Sequence, residues 1–257
     1  MIKKCRLCLE EKKLRNSHII PEFFFKLVYD GLHRLNIMSS RCEEKNQFEQ
    51  KGLREKLLCD DCEKLLSPFE DYARRFFYGG IELQMTKDKN PINIKAVDYH
   101  KLKLFQLSLL WRSSVCSHRF FTKVKLPSKH EERIRKMIIT KNPGESWDYG
   151  CMMISLIDAN QPMDGMIGQP DSLRIDGHRC YRFLLGGCLW IFVVSKHARN
   201  FLHKELFIDK EGKLIIPVLS AKDTKLIRQY AKLLKEKGKL NASGSRWILS
   251  SSGEVGG

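Results

Sequence analysis

The sequence predicts an α+β protein: an N-terminal zinc-bound module, then helices, then a meandering antiparallel sheet. Three observations predict it: two Cys-x-x-Cys pairs within the first third, a helical period beginning near Asp98, and glycine-punctuated apolar segments beyond Gly150. They divide the chain into a module over residues 1–85, an α+β domain over 98–240, and a tail over 241–257. The tail is rich in Ser and Gly and is expected to be disordered.

The module comes first. Cys5-Arg6-Leu7-Cys8 makes one tight knuckle, and Cys59-Asp60-Asp61-Cys62 supplies a second pair at the start of a helical pattern. Four thiolates in tetrahedral array close a site completely, which suits structural Zn2+ and leaves no position for substrate. A helix N-terminus at the second pair also favours thiolate charge. The start Met1-Ile2-Lys3-Lys4-Cys5 lacks the apolar stretch of a signal peptide. The longest apolar run, Phe183 to Val194, is too short to cross a bilayer and has glycines at its middle. The expectation is a cytoplasmic protein with no membrane partner, where thiols stay reduced and paired spacings read as metal sites. Cys42, Cys116, Cys151, Cys180 and Cys188 lack such spacing and read as buried small hydrophobes.

After the second knuckle, Glu63 to Leu66 predicts a first helical turn or two. Ser67-Pro68-Phe69-Glu70 then predicts a restart, with Ser67 as cap, Pro68 at the first position and Glu70 closing a capping box. Phe69, Tyr72, Phe76 and Phe77 follow at helical spacing as a core stripe. Thr86 to Pro91 reads as a connector. From Asp98 to Phe121 a helix is predicted, with Leu102, Phe105, Leu109 and Trp111 or Arg112 in register, and Glu131 to Ile139 predicts a shorter one. Cys151 to Ile157 is of strand type. Asp176-Gly177 and Gly186-Gly187 signal two hairpins among the strands ending at Ile175, from His178 to Leu185, and from Cys188 to Val194. Trp190 and Phe192 alternate with Ile191 and Val193, as in a strand buried on both faces. Leu206-Phe207-Ile208 and Leu214-Ile215-Ile216, around Asp209 to Gly212, read as one more hairpin. A basic amphipathic helix is predicted from Lys222 to Lys237, with Leu226, Tyr230 and Leu233 on its apolar face.

Hydrophobic residues at 42% and charged residues at 30% exclude a fibrous or disordered chain. The net charge of +16 and pI near 9.5 favour a polyanionic partner, most often nucleic acid. Of 46 basic and 30 acidic residues, 16 and 13 lie up to Gly80, leaving 30 and 17 beyond it, so most of the surplus lies outside the module. The candidate contacts are Arg74 and Arg75, which lie off the aromatic stripe, and Lys225, Arg228 and Lys232 on the basic helix. An ordinary solvated basic face is the alternative for each.

Between the cysteine pairs stands Asn16-Ser17-His18-Ile19-Ile20-Pro21. The order Cys-x-x-Cys, His-Ile-Ile-Pro, Leu-Cys-x-x-Cys, helix resembles the zinc-braced HNH nuclease family over residues 1–78. That resemblance implies a treble-clef zinc module with a ββα-metal-like core, His18 as general base, and a divalent cation, Mg2+ or Mn2+, at the scissile phosphate. It also implies a role in bacterial restriction or phage defence and a nucleic-acid partner, DNA ahead of RNA. The metal shell departs from the family. Ser17 stands where Asp or His is usual, Glu63 where a second His follows the last cysteine, and Arg54 near the position of the Asn. The longer interval from His18 to Cys59 implies an inserted helix near Pro21 to Tyr29. In the catalytic reading His18 supplies the base, Glu63 a metal ligand, and Arg54 or Arg74 charge neutralisation. The other reading is a zinc-stabilised nucleic-acid-binding or scaffold protein that keeps the fold without the chemistry, with His18 fixing the hairpin and Ser17 exposed. A protein partner supplying the activity is a third.

Overall fold

The computed structural model describes residues 2–29, 32, 34–39, 47–50, 52–86, 90–158, 161–236 and 247–250. Among these the chain forms four α-helices with one large and two small sheets. The prediction about Cys42 lies outside the described residues.

The N-terminal part holds β1 (Ile2–Lys4), β2 (Glu11–His18), β3 (Arg34–Ser39), β4 (Gln47–Gln50) and β5 (Arg54–Cys59), leading into α1 (Asp60–Tyr78). β1, β2 and β5 form an antiparallel sheet in that order. In the segment from Pro21 to Tyr29 the expected inserted helix is only a 3-10 turn, Glu22–Phe24, followed by further turns that bury Phe23, Phe24, Phe25, Val28 and Tyr29. The expected restart at Ser67 does not occur, because α1 runs unbroken through Pro68. Proline removes one backbone donor, and the buried Leu66 and Phe69 hold the helix against the core on either side of it.

The middle of the chain supplies β6 (Gln84–Thr86), β7 (Ile92–Lys95), α2 (Tyr99–Val115) and α3 (Ser128–Ile139). The expected connector is thus flanked by an antiparallel pair, since β6 lies on β7. Asp98 caps α2, its Oδ1 accepting from the Lys101 amide at 2.9 Å. Every residue of α2 from Leu102 to Ser113 is buried, so this helix is the axle of the molecule rather than a one-faced surface helix. It carries two buried cations. Lys103 donates to the carbonyls of Ser146 and Tyr149 at 3.1 and 3.0 Å, and burial lowers its pKa to about 8. The other is Arg112.

The remainder gives β8 (Cys151–Asp158), β9 (Gln161–Pro162), β10 (Met166–Ile175), β11 (His178–Leu185), β12 (Cys188–Val193), β13 (Leu214–Ile216), β14 (Val218–Ser220), α4 (Lys225–Glu236) and β15 (Trp247–Ser250). The expected meander is present as β10-β11-β12, continued antiparallel to β8. Positive φ at Asp176, Gly177, Gly186 and Gly187 gives both hairpin turns the geometry that their sequences signal. All six residues of β12 are buried, as its two-faced apolar pattern predicts.

Three features differ from expectation. The large sheet is mixed, ordered β14-β8-β12-β11-β10-β15-β3-β4, with parallel pairs at β14/β8, β10/β15 and β15/β3. Residues 247–250, within the segment expected to be disordered, form β15 between β10 and β3. No hairpin joins Leu206–Ile208 to Leu214–Ile216: Lys204–Leu206 is a 3-10 turn, and β13 pairs with β7. Only the turn survives there, closed by the Asp209 carboxylate accepting from the Lys213 amide at 2.7 Å. The main apolar core is continuous from Cys5 and Leu7 through α1 and α2 to Trp190 and Ile216, so the module and the sheet share one interior. No helix among the described residues is long and apolar enough to cross a membrane.

Candidate functional site

The β2–β5 pair positions one group of chemical side chains at each end. At the end near the α1 N-terminus, the ligand atoms of Cys5, Cys8, Cys59 and Cys62 all lie within 4.8 Å of one another. The first knuckle turns through Leu9 at φ 68°, with the Leu9 amide on the Cys5 carbonyl at 3.0 Å and the Cys5 amide on that of Glu10 at 2.8 Å. The Arg6 amide bonds to the Leu57 carbonyl at 3.1 Å, tying this knuckle to the strand that carries the second. The Cys59 amide donates to Cys5 Sγ at 3.3 Å. A tetrahedral ion with arms of ~2.3 Å has edges of about 3.8 Å, and Cys8 Sγ stands 3.8 Å from Cys59 Sγ. The four cysteines could hold a metal ion, in an arrangement consistent with structural zinc. Cys5, Cys59 and Cys62 are buried, so water has little access to the set. Among the thiols themselves, a hydrogen bond from Cys62 lowers the Cys5 pKa, and the same contact raises that of Cys62.

At the opposite end, His18 closes β2 directly across from Arg54 on β5. Its side chain is 22% exposed, and Nε2 lies 3.1 Å from Oε2 of Glu22, without the alignment of a hydrogen bond. Arg54 Nη2 donates to the same Glu22 oxygen at 2.9 Å, and the Tyr29 hydroxyl approaches the other at 3.4 Å. Gly52 backs the ring. A Cβ there would stand 3.2 Å from His18 Cδ2 and 3.1 Å from Phe25, and its φ of +77° is one that side chains rarely adopt. Burial, then the Arg54 charge, lowers the His18 pKa against the opposing pull of Glu22 and Glu70. The ring is therefore neutral at physiological pH.

Ser17, expected to be exposed in the non-catalytic reading, is 2% exposed. Its hydroxyl accepts from the Leu58 amide at 3.1 Å, and the neighbouring Glu63 has a buried Oε1 with no hydrogen-bond partner. Burial raises the Glu63 pKa. Behind them lies Arg112 of α2, 1% exposed, with Nη1 donating to the His18 carbonyl at 2.8 Å and standing 2.7 Å from Oε1 of Glu70. Its charge acts on both Glu63 and His18. Glu63 is thus a half-buried carboxyl with one unpartnered oxygen and a guanidinium nearby. Among the described residues, the four cysteines are the one group of three or more His, Cys, Asp or Glu side chains whose ligand atoms converge. Where the resemblance puts cation ligands the chain brings one carboxyl, Glu63, and one hydroxyl, Ser17, so no converging set of oxygen ligands supports a catalytic Mg2+ or Mn2+ among the described residues.

The proposed nucleic-acid residues fall into two sets. Arg74 and Arg75 are both bonded to Asp71, at 2.8 and 3.1 Å, which offsets part of their charge. Lys225, Arg228 and Lys232 are exposed on α4, whose Ile227 and Tyr230 are buried against the sheet, with Leu226 only half-buried. Glu22 and Arg112 were not anticipated as site residues. Glu22 follows His18 by four positions across a proline, and Arg112 is a charge on the apolar register of a helix, so both left a trace in the sequence. No known protein family, curated protein or solved structure matches this chain.

Proposed function

We propose that the protein binds a structural zinc at Cys5, Cys8, Cys59 and Cys62, in a treble-clef arrangement, and hydrolyses phosphodiester bonds in nucleic acid with His18 as general base. The observation that carries the reading is the His18–Glu22–Arg54 group at the partly open end of the β2–β5 pair. A neutral imidazole beside a carboxylate is the arrangement of a general base, and such contacts are often imperfectly aligned before substrate binds. His18 takes a proton from water, the water oxygen forms the new bond to phosphorus, and the bond from phosphorus to the leaving sugar oxygen breaks. The leaving oxygen recovers a proton from the imidazolium or from solvent. Arg54 neutralises charge gathering on the phosphate, and Glu22 steadies the imidazolium.

A second reading is favoured by a specific observation. Ser17, buried on the Leu58 amide, and the buried Arg112, paired with Glu70, stand near the place where the resemblance puts a catalytic cation, which suits a nucleic-acid-binding or scaffold protein that keeps the fold alone. Single-stranded and duplex DNA and RNA incubated with the purified chain separate the two. Cleavage that persists in EDTA concentrations too low to strip the zinc, and disappears in His18→Ala with zinc content unchanged, is the result expected of the hydrolase. Binding without cleavage, with or without Mg2+ or Mn2+, leaves the second reading.

A further inference from the structure

The charge surplus beyond Gly80 is gathered in part on one face that no sequence motif marks. It forms where α3 lies beside the start of β11 and the segment that follows β12. The Tyr181 hydroxyl on β11 donates to the Lys125 carbonyl just before α3, and the Val194 amide bonds to the Arg179 carbonyl at 2.8 Å. These ties bring Lys129 and Arg133 of α3, Arg179 of β11 and Lys196 together around His130, and all four cations are exposed. His130 Nδ1 meets the Tyr149 hydroxyl at 3.0 Å, and the Arg133 guanidinium lies 5.7 Å from the Tyr149 ring centre. The same loop continues the pattern, with the Arg199 guanidinium 5.5 Å from the ring centre of half-buried Trp147.

The acidic content of this face is small. Asp148 is bonded to Arg133 at 2.7 Å, and Lys129, Arg179 and Lys196 make no ion pair among the described residues. Burial, then the four cations, hold His130 below its ordinary pKa, as expected where positive charge accumulates. A surface of one sign costs self-repulsion unless a polyanion covers it. Exposed, planar guanidiniums are suited to phosphates and can lie against flat bases.

We propose that this face, Lys129, Arg133, Arg179 and Lys196 around His130, is the docking surface for nucleic acid, engaging consecutive phosphates of one strand. The proposal rests on nucleic acid being the partner. It places the principal contact on α3 and β11 rather than on α4. The opposite side of α3 reaches the first cysteine knuckle, where Arg135 Nη1 donates to the Leu7 carbonyl at 2.6 Å. One helix thus braces the knuckle and carries the basic face.

The test uses the full-length zinc-bound chain and a fluorescein-labelled 20-base-pair DNA, followed by anisotropy over a series of KCl concentrations. The triple variant Lys129→Glu/Arg179→Glu/Lys196→Glu is expected to lose at least tenfold in affinity. Its dependence of log affinity on log salt should flatten by about three, near 0.9 for each phosphate contact removed. Lys225→Glu/Arg228→Glu on α4 should lose less than threefold. Wild-type affinity and slope in the triple variant, with zinc content and circular dichroism unchanged, overturns the surface while leaving the partner class standing. No binding by the wild type overturns both.

Discussion

The two ends of the β2–β5 pair gather potentially anionic side chains and compensate them by opposite means. At one end four cysteine ligands converge within 4.8 Å, and their thiolates are neutralised best by an ion the chain does not itself supply. At the other, Glu22, Glu63 and Glu70 stand near guanidiniums built into the sequence: Arg54 pairs with Glu22, and Arg112 with Glu70. The difference lies in where the positive charge comes from. A zinc site can be assembled from two short local motifs because the ion completes it. A site balanced by arginine must wait for a helix more than ninety residues away, since the Arg112–His18 bond spans 94 positions.

That contrast can be broken most severely at the cysteine end. Cys59→Ser is expected to release the metal and leave the first eighty residues protease-sensitive, because structural zinc contributes about 10–16 kcal/mol of apparent binding energy in small zinc-finger peptides. Zinc content and limited proteolysis check it, and a variant that keeps both its zinc and its resistance would refute a folding role.

At the other end the expected effect is smaller. Arg112→Met leaves Glu70 without its cation and should cost about 3–5 kcal/mol in urea unfolding, the usual result of removing one partner from a buried pair. Adding Glu70→Gln should recover part of that loss. A cost below about 1 kcal/mol in the single variant would show that Arg112 does not compensate this end. Ser17→Ala should cost about 1–3 kcal/mol, the price of leaving the buried Leu58 amide short of a partner. A neutral effect would remove Ser17 from the account.

The smallest effect concerns pH. The His18 pKa is lowered on folding, so below its unfolded value of about 6.5 the unfolded chain binds more protons. The His18 contribution to stability should therefore fall as pH drops below about 6.5 and be level above it. His18→Asn should flatten this dependence in part, with His130, lowered for a similar reason, carrying the remainder. An unchanged profile in His18→Asn would mean that the imidazole is not held neutral by its surroundings.

How much of this was legible beforehand follows from the same contrast. The cysteine pairs, both glycine hairpins and the two-faced strand β12 were readable because each is specified within a few residues. The mixed large sheet was not, since β15 and β3 join it from distant segments through parallel pairings that no local pattern records. Helix α2 was recognised by its period, but its complete burial depends on what surrounds it. His18 was singled out by its motif, whereas Glu22 as its neighbour and the burial of Ser17 emerge only from the packed strand ends. The mispredicted hairpin has the same origin: Asp209 to Gly212 specify a turn, and the partner of Leu214–Ile216 is β7, more than a hundred residues earlier.

The central claim, that one end of the strand pair takes an external cation and the other is balanced from within, is tested most directly by native mass spectrometry of the intact chain with and without millimolar Mn2+. The account predicts one zinc per chain, lost in Cys59→Ser, and no saturable second ion. A second ion that binds stoichiometrically and is lost in His18→Ala or Glu63→Gln would contradict it.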